Sequence, residues 1–559
     1  MLTLAHHMPA QLSIALAQIN PTVGDLDGNA KLILETRAGA AGAGANLVVF
    51  PEFVVSGYPP EDLVLRPSFQ EATRRTLEAL AAETAKPGPA LLVSSPWVEE
   101  GRLYNAALLL AGGGIVAVRL KHELPNYGVF DEKRVFSAGG LPDPVEFAGA
   151  SLGAMICEDM WLPEVGGHLA ARGAEILIVP NGSPFELDKH DVRRRIALER
   201  VRESRLPLIY VNQVGGQDEL VFDGGSFVMA ADGTLAGQCP YWRADLAITR
   251  WERDAAGWRC VEAPACAEPG RLEAVYQAMV LGLRDYVEKN RFPGVVLGLS
   301  GGIDSALSAA VAVDALGAAR VHCVMLPSKY TSKESLDEAA DCARRLGVKL
   351  DTISIAPLVE TAERTLAPLF AGRAADLTEE NIQSRLRGVL LMALSNKFGP
   401  MVLTTGNKSE VSVGYATLYG DMCGGYSVLK DVYKVLVFEL ARWRNAHRPE
   451  GARGPAGVVI PESTIARPPT AELRPNQKDQ DSLPPYEQLD AVLEDLVENE
   501  LPVADIVAKG YSFELVTRVQ NLLYGAEYKR RQASPGVKVT RRNFGRDRRY
   551  PITNRFRNR

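Results

Sequence analysis

No stretch of this 559-residue chain approaches the ~20 consecutive apolar residues that a membrane-spanning helix needs. The opening segment, Met1 to Ala10, lacks the basic start and long apolar run of a secretory signal. Both absences lead to the expectation of a cytoplasmic protein with no membrane partner. Cysteine is scarce: Cys157, Cys239, Cys260, Cys266, Cys323, Cys342 and Cys423 are scattered, odd in number and never spaced C-x-x-C, so neither a disulfide framework nor a zinc site is predicted. The phosphate-binding pattern G-x-x-x-x-G-K-[ST] is missing along with its lysine. There is no internal repeat. With 46% hydrophobic and 23% charged residues the composition is ordinary for a soluble globular protein, and at ~150 residues per domain the length predicts two or three cores.

What is present is most informative at Ser300-Gly301-Gly302-Ile303-Asp304-Ser305, which follows the apolar run Val295 to Leu299. Two glycines let backbone N–H groups approach an anion, the serine hydroxyls add donors, and the apolar helix predicted from Ala306 points its positive end at the same place. Asp304 is placed to hold the magnesium that accompanies ATP. The motif resembles the pyrophosphate loop of the ATP pyrophosphatases, which adenylate a substrate and release pyrophosphate.

Three further strand ends carry chemistry. Ala45 to Pro51 leads into Glu52, Gly114 to Leu120 into Lys121, and Leu152 to Ile156 into Cys157. Alone, Cys157 reads better as a buried structural thiol. Attack on an amide needs a thiolate, which a cysteine of pKa ~8.5 supplies sparingly at neutral pH, so a carboxylate base and a nearby ammonium are the partners it requires. Cys157 as nucleophile, Glu52 as general base and Lys121 as electrostatic partner form the constellation of the nitrilase superfamily.

Longer segments narrow the resemblance. Ser56-Gly57-Tyr58-Pro59-Pro60-Glu61-Asp62-Leu63, Cys157-Glu158-Asp159-Met160-Trp161 and the run Lys121 to Arg134 resemble the glutaminase domain of the glutamine-dependent NAD synthetase family. That resemblance implies Tyr127 and Ser183 in a glutamine pocket and Glu132 as an additional orienting carboxylate; a salt bridge to a neighbour such as Lys133 or Arg134 is the equal alternative for Glu132. In the second half, Glu380 to Arg385, Thr405-Gly406-Asn407-Lys408-Ser409-Glu410, Tyr419-Gly420-Asp421, Lys434 and the stretches 469–475 and 479–486 resemble the ammonia-consuming domain of the same family. The implied roles are ATP contacts by Ser300, Gly301, Gly302, Asp304, Ser305, Thr405 and Lys434, and magnesium held by Asp304 and Glu410. Deamido-NAD contacts fall to Arg385, which would also line the nucleotide site, to Asp421, and to Thr470, which would close over the reacting groups. One departure stands out: Tyr433 occupies a position where the family pattern would have proline.

The apolar strands and intervening helical stretches from residue 11 to about 230 predict an α-β-β-α sandwich, and the four strands after Leu272 predict a doubly wound parallel sheet of the adenine nucleotide alpha hydrolase type. Residues 1–250 are thus expected to form a nitrilase-like glutaminase domain, 251–270 a linker and 271–559 the synthetase domain. From Tyr528 to Arg559 twelve Lys or Arg face the single acid Asp547, a net of +11 in a chain of net charge -6. Aromatics are not evenly interleaved there, so nucleic acid is not expected as a partner, and the arginines suit a pyrophosphate or a subunit contact. The resemblance implies glutamine, ATP and deamido-NAD as substrates, magnesium as cofactor, an enclosed passage for ammonia and a homo-oligomer. The alternative is another glutamine-dependent amidotransferase of the pyrophosphatase type acting on a different carboxylate or nucleotide.

Overall fold

The computed structural model describes residues 11–557; the Met1 to Ala10 segment and Arg559 of the basic stretch lie outside the described residues. Two compact units emerge, one running to Gln217 and resuming over Val221–Pro269, the other taking Asp218–Leu220 and the described residues from Gly270 onward.

The first unit is built on two sheets. In spatial order the seven-stranded sheet runs Gly257–Glu262, Asp245–Asp254, Gln11–Gln18, Leu47–Val49, Ala90–Glu99, Arg102–Ala111 and Gly114–Leu120. The six-stranded sheet runs Leu235–Gln238, Phe227–Met229, Leu208–Asn212, Ile176–Asn181, Ala150–Ala154 and Val145–Phe147. Leu16, Leu47, Val49 and Leu109 from one sheet meet Leu152, Ile176, Ile178 and Val211 from the other in a dry layer, and each such side chain contributes ~1.5–3 kcal/mol by leaving water. The outer faces are covered by helices. Ile33 and Ala40 of Leu26–Gly42 and Leu77 and Leu80 of Pro67–Glu83 cover one, while Val165 and Leu169 of Pro163–Ala171 and Ala197 and Val201 of Lys189–Ser204 cover the other. This is the expected α-β-β-α sandwich.

The linker expected over 251–270 is corrected. Trp251 sits inside Asp245–Asp254, which pairs antiparallel with Gln11–Gln18, and Gly257–Glu262 adds the edge strand beyond it. Apart from the two-residue turn at 255–256, only 263–270 lack helix or extended strand. The charged residues of this segment alternate with Trp251 and Trp258, both buried between the sheets.

The second unit holds a parallel sheet in the spatial order Lys349–Thr352, Val321–Met325, Val295–Gly298, Met401–Thr404, Tyr426–Ser427. The chain starts in the middle and winds outward in both directions, the doubly wound arrangement in which ligands meet the carboxyl edge between the first and fourth strands. Leu386, Leu390 and Leu394 of the helix Leu377–Phe398 pack on Val296, Val324 and Val402 of the sheet. The helices Tyr486–Val497, Val503–Ala508 and Phe513–Gly525 form a separate cluster around Leu489, Leu493, Ile506, Val516 and Leu523. No described helix is long and apolar enough to cross a membrane.

Candidate functional site

The first unit gathers Glu52, Lys121 and Cys157 at one end of the sandwich. Glu52 and Lys121 are fully buried and Cys157 is 4% exposed. Lys121 Nζ donates to Glu52 Oε1 at 2.8 Å and to both oxygens of Glu132 at 2.9 Å. Glu132 therefore bonds Lys121 rather than Lys133 or Arg134. Glu52 Oε1 also accepts from Asn105 Nδ2 at 2.7 Å, and Oε2 from the backbone N–H of Gly182 at 3.0 Å, just past the strand Ile176–Asn181 of the other sheet. Glu52 is thus fastened to both layers.

Cys157 enters a tight turn, Cys157–Met160, with φ of +45°, a strained conformation for any residue but glycine. Asp159 secures that turn. Its carboxylate accepts the N–H of Ile156 at 2.9 Å and those of His122 and Glu123 at 3.1 and 2.8 Å, tying the cysteine turn to the segment that leaves Lys121. Burial, and then the Glu52 charge, push the Cys157 thiol well above the ordinary cysteine range, with Lys121 pulling the other way. For Lys121 burial favours the neutral amine, but Glu132 and Glu52 together outweigh it and hold the ammonium. Glu132, buried and competing with Glu52 for that one cation, is pushed up to about 7. The arrangement carries a protonated thiol beside a carboxylate that can take its proton and an ammonium that can stabilise an oxyanion.

Tyr127 and Ser183 differ in setting. Tyr127 is half exposed and donates to Glu158 at 3.0 Å. Ser183 is buried; its N–H donates to Asn212 Oδ1, and its hydroxyl oxygen accepts from Arg193 Nε at 3.0 Å, with Arg193 paired in turn to Asp223 at 2.8 Å. Sequence reasoning assigned no role to Asn105, Asp159 or Arg193. A polar residue inside the apolar strand Arg102–Ala111 is the only signal that marks Asn105.

In the second unit the Ser300 loop follows the central strand and opens the helix Ile303–Leu316. Gly301 has φ of +87°, and a Cβ there would stand 2.3 Å from the carbonyl oxygen of Ser335, so glycine is obligatory on both counts. Ser305 Oγ accepts from the N–H of Ser300 at 3.2 Å and donates to the Gly302 carbonyl at 2.9 Å, folding the loop upon itself before any ligand arrives. A cleft of about 310 Å³ opens over this loop, lined by Ser300 to Ser305, Thr405, Glu410, Asp421, Lys434 and Thr470 among others.

Asp304 and Glu410 share one cation there. Lys434 Nζ contacts Asp304 Oδ2 and stands 3.5 Å from Glu410 Oε1. Asn407 donates to Asp304 Oδ1 at 2.9 Å while capping the helix that carries Glu410. Burial, relieved by Lys434 but reinforced by Asp304 and Asp479, raises Glu410 to about 8. Lys434 itself is driven up: burial opposes its charge, but Asp304 and Glu410 prevail. Such a surplus of carboxylate oxygens over cations fits a hard divalent ion. Tyr433 precedes Lys434 with φ of -65°, the angle a proline would impose, so the departure from the family pattern leaves the lysine at the start of its helix. Thr470 donates its hydroxyl to the Gln477 carbonyl at 2.6 Å.

Arg385 is not brought to the cleft. It is exposed and donates to the Leu418 carbonyl at 3.2 Å, whereas Arg387, two residues on along the helix, lines the cleft and donates to the Leu326 carbonyl at 3.0 Å. Burial lowers the Arg387 guanidinium to about 10. The basic C-terminal stretch is met by acids: Arg530 and Arg548 pair with Glu527, Lys538 with Asp547, and Arg542 with Glu500.

Comparison with known proteins agrees with this division. The carbon-nitrogen hydrolase family profile matches residues 13–259 and the NAD synthase profile residues 275–533. The chain is 54% identical to a glutamine-dependent NAD(+) synthetase of Rhodobacter capsulatus, over 98% of this chain and 100% of that one. A solved glutamine-dependent NAD+ synthetase of Acinetobacter baumannii, in complex with ADP, matches with a TM-score of 0.78 at 44% identity over 97% of this chain and 99% of that one. One from Cytophaga hutchinsonii shares the fold at a TM-score of 0.81 and 22% identity, over 97% and 98% of the respective chains. With a carbon-nitrogen hydrolase half, an NAD synthase half and relatives matched over nearly all of its length, the chain belongs to the glutamine-dependent NAD(+) synthetases.

Proposed function

We propose that this protein makes NAD from deamido-NAD and ATP with ammonia taken from glutamine, releasing AMP, pyrophosphate and glutamate. The reading is carried by one observation: a buried Cys157–Lys121–Glu52 cluster and a Ser300 pyrophosphate-type loop with facing carboxylates occur together in a chain of this family.

In the first unit Glu52 takes the Cys157 proton as the sulfur attacks the side-chain amide of glutamine. Lys121 steadies the oxyanion, ammonia leaves with a proton returned through Glu52, and water then hydrolyses the thioester to glutamate. The raised thiol supports proton transfer within the substrate complex over a thiolate held in reserve. Glu132 orients Lys121, and Tyr127 and Ser183 shape the glutamine pocket, Ser183 through the conformation that Arg193 gives it.

In the second unit the nicotinate carboxylate of deamido-NAD attacks the α-phosphate of ATP, pyrophosphate departs, and ammonia displaces AMP to form the amide. The N–H groups at Gly301, Gly302 and the start of the following helix, with Ser300 and Ser305, receive the phosphates; Thr405 lines the nucleotide side and Lys434 moves its ammonium from Asp304 toward phosphate oxygen. Asp304 and Glu410 would hold magnesium, which when bound neutralises phosphate charge. Asp421 and Thr470 line the cleft on the deamido-NAD side, and Arg387 replaces Arg385 as the guanidinium available to the ligand. The functional domains we assign are a glutaminase up to Pro269 and a synthetase from Gly270. A homo-oligomer and a cytoplasmic location accompany the reading, as the family resemblance implies.

NAD formation from deamido-NAD, ATP and magnesium, with glutamine or ammonium as nitrogen source, tests it. Synthesis from both sources in the parent is the expected result. Failure with ammonium would remove the synthetase assignment and return the chain to amidotransferases acting on another acid.

A further inference from the structure

Asn105 is fully buried among the strands of the seven-stranded sheet, yet its polar groups serve the catalytic residues of the first site. Its side-chain Nδ2 donates to Glu52 Oε1 at 2.7 Å, and its backbone carbonyl accepts the N–H of Lys121 at 2.8 Å. Ser94 Oγ lies 3.4 Å from Asn105 Oδ1 and donates to it, which keeps the amide oxygen turned away from Glu52 and the amide nitrogen toward it. One residue thereby fixes a side chain of the base and the main chain of the ammonium carrier.

We propose that Asn105 is a positioning residue for the glutaminase reaction: it holds the Glu52 carboxylate in place, aimed to take the Cys157 proton. The chemistry follows from the count of donors on Glu52. Lys121 and Asn105 share Oε1, and the Gly182 N–H occupies Oε2. A fully buried carboxylate is driven toward its neutral form by lost hydration, and each donor to the charged form opposes that drive. The charged and titratable groups that act on the same pocket are Lys121, Glu132, Cys157, Tyr58 and Glu158. Only Lys121 among them is cationic, and it is shared with Glu132. The neutral amide of Asn105 adds a donor without adding charge, which a second lysine could not do without drawing the thiol proton off prematurely. Were Asn105 lost, Glu52 Oε1 would keep only the Lys121 donor and the carboxylate would turn more freely about its own side chain.

The inference rests on the proposed glutaminase reading, and its test separates the two. In the full-length protein, Asn105→Leu keeps the volume and removes the donor, Asn105→Asp faces Glu52 with a second carboxylate, and Ser94→Ala frees the amide to turn. Glutamate release from glutamine and alkylation of Cys157 by iodoacetamide are followed against pH, alongside ammonium-driven synthesis. For Asn105→Leu we expect kcat for glutamine hydrolysis to fall by roughly 10- to 100-fold with KM for glutamine little changed, while ammonium-driven synthesis stays at the parent level. Asn105→Asp should lose more and Ser94→Ala less. An unchanged kcat for glutamine in an Asn105→Leu protein that still synthesises NAD from ammonium would overturn the positioning role. If Asn105→Leu does not fold, Ser94→Ala decides in its place: a fall in kcat for glutamine without a matching change in KM supports the role, and its absence overturns it. A parent that releases no glutamate removes the glutaminase reading instead.

Discussion

The two sites solve opposite problems with the same kinds of residue. Around Cys157 a single ammonium lies between two buried carboxylates, and Glu52 is held by hydrogen bonds from Lys121, Asn105 and the Gly182 N–H. Around Ser300 a single ammonium again lies between two carboxylates, but Asp304 and Glu410 keep 18% and 19% of their side-chain surface and open into a wide cleft. A sealed site suits attack on one small amide, where preorganised charge removes the need for reorganisation. An open site suits a nucleotide whose counter-ion arrives with it and whose phosphates can draw the lysine away. The comparison teaches that charge balance alone does not fix function; access to the balanced charges does.

The sharpest break between the two regions is expected from Cys157→Ala. Glutamine-driven NAD synthesis should fall by roughly 10³-fold or more, as loss of a covalent nucleophile does, with ammonium-driven synthesis retained. Equal loss from both nitrogen sources would mean the cysteine serves the second site too. Asp304→Asn should reduce synthesis from both sources alike, by about 10²-fold, measured as initial rates at saturating ATP and magnesium.

Stability sharpens the contrast. Lys121→Met strands two buried carboxylates and should lower unfolding free energy by ~3–5 kcal/mol, whereas Lys434→Met leaves carboxylates that water can reach and should cost only ~1–2 kcal/mol. Chemical denaturation of the two variants compares them directly, and equal losses would refute the distinction. The smallest effect concerns pH. Because Glu132 is raised from its usual 4.5 to about 7, the folded chain holds that proton more tightly than the unfolded one. Its contribution to stability is complete below about 4.5 and is lost as pH rises to about 7. Relative to Glu132→Gln, which cannot ionise, the parent should therefore lose stability steadily across that window; parallel denaturation midpoints for the two proteins would contradict the assignment.

Much of this was legible before any coordinates. Short β-branched runs such as Val295 to Leu297 and Ile176 to Val179 mark strands because nothing but a sheet core buries them all, and reactive residues at their ends point to the carboxyl edges where both sites form. Other features hid for physical reasons. Arg250 and Glu252 point away from the buried face of the strand next to the sheet edge and Arg253 is exposed near its end, so their charge reads as a linker although Trp251 among them is buried. Arg385 and Arg387 are two positions apart on one helix, about 200° around its axis, and the sequence alone does not tell which faces the cleft. Asn105 acts through contacts to Glu52 and Ser94 that depend on strand register. The helices from Tyr486 to Gly525 bury a core of their own, and the motif-rich segments before them drew the reading elsewhere.

The clash that forbids a side chain at Gly301 also sets a dimension. Because its Cα rests against the carbonyl of Ser335, the height of the phosphate loop above the sheet is gauged by the helix Lys333–Leu346 and not by the loop's own length. That helix shares Ser335 with Arg467 and Glu472 on the far wall of the cleft. Floor and wall of the cleft therefore meet at one residue, Ser335, whose carbonyl oxygen crowds Gly301 and whose hydroxyl joins Arg467 and Glu472.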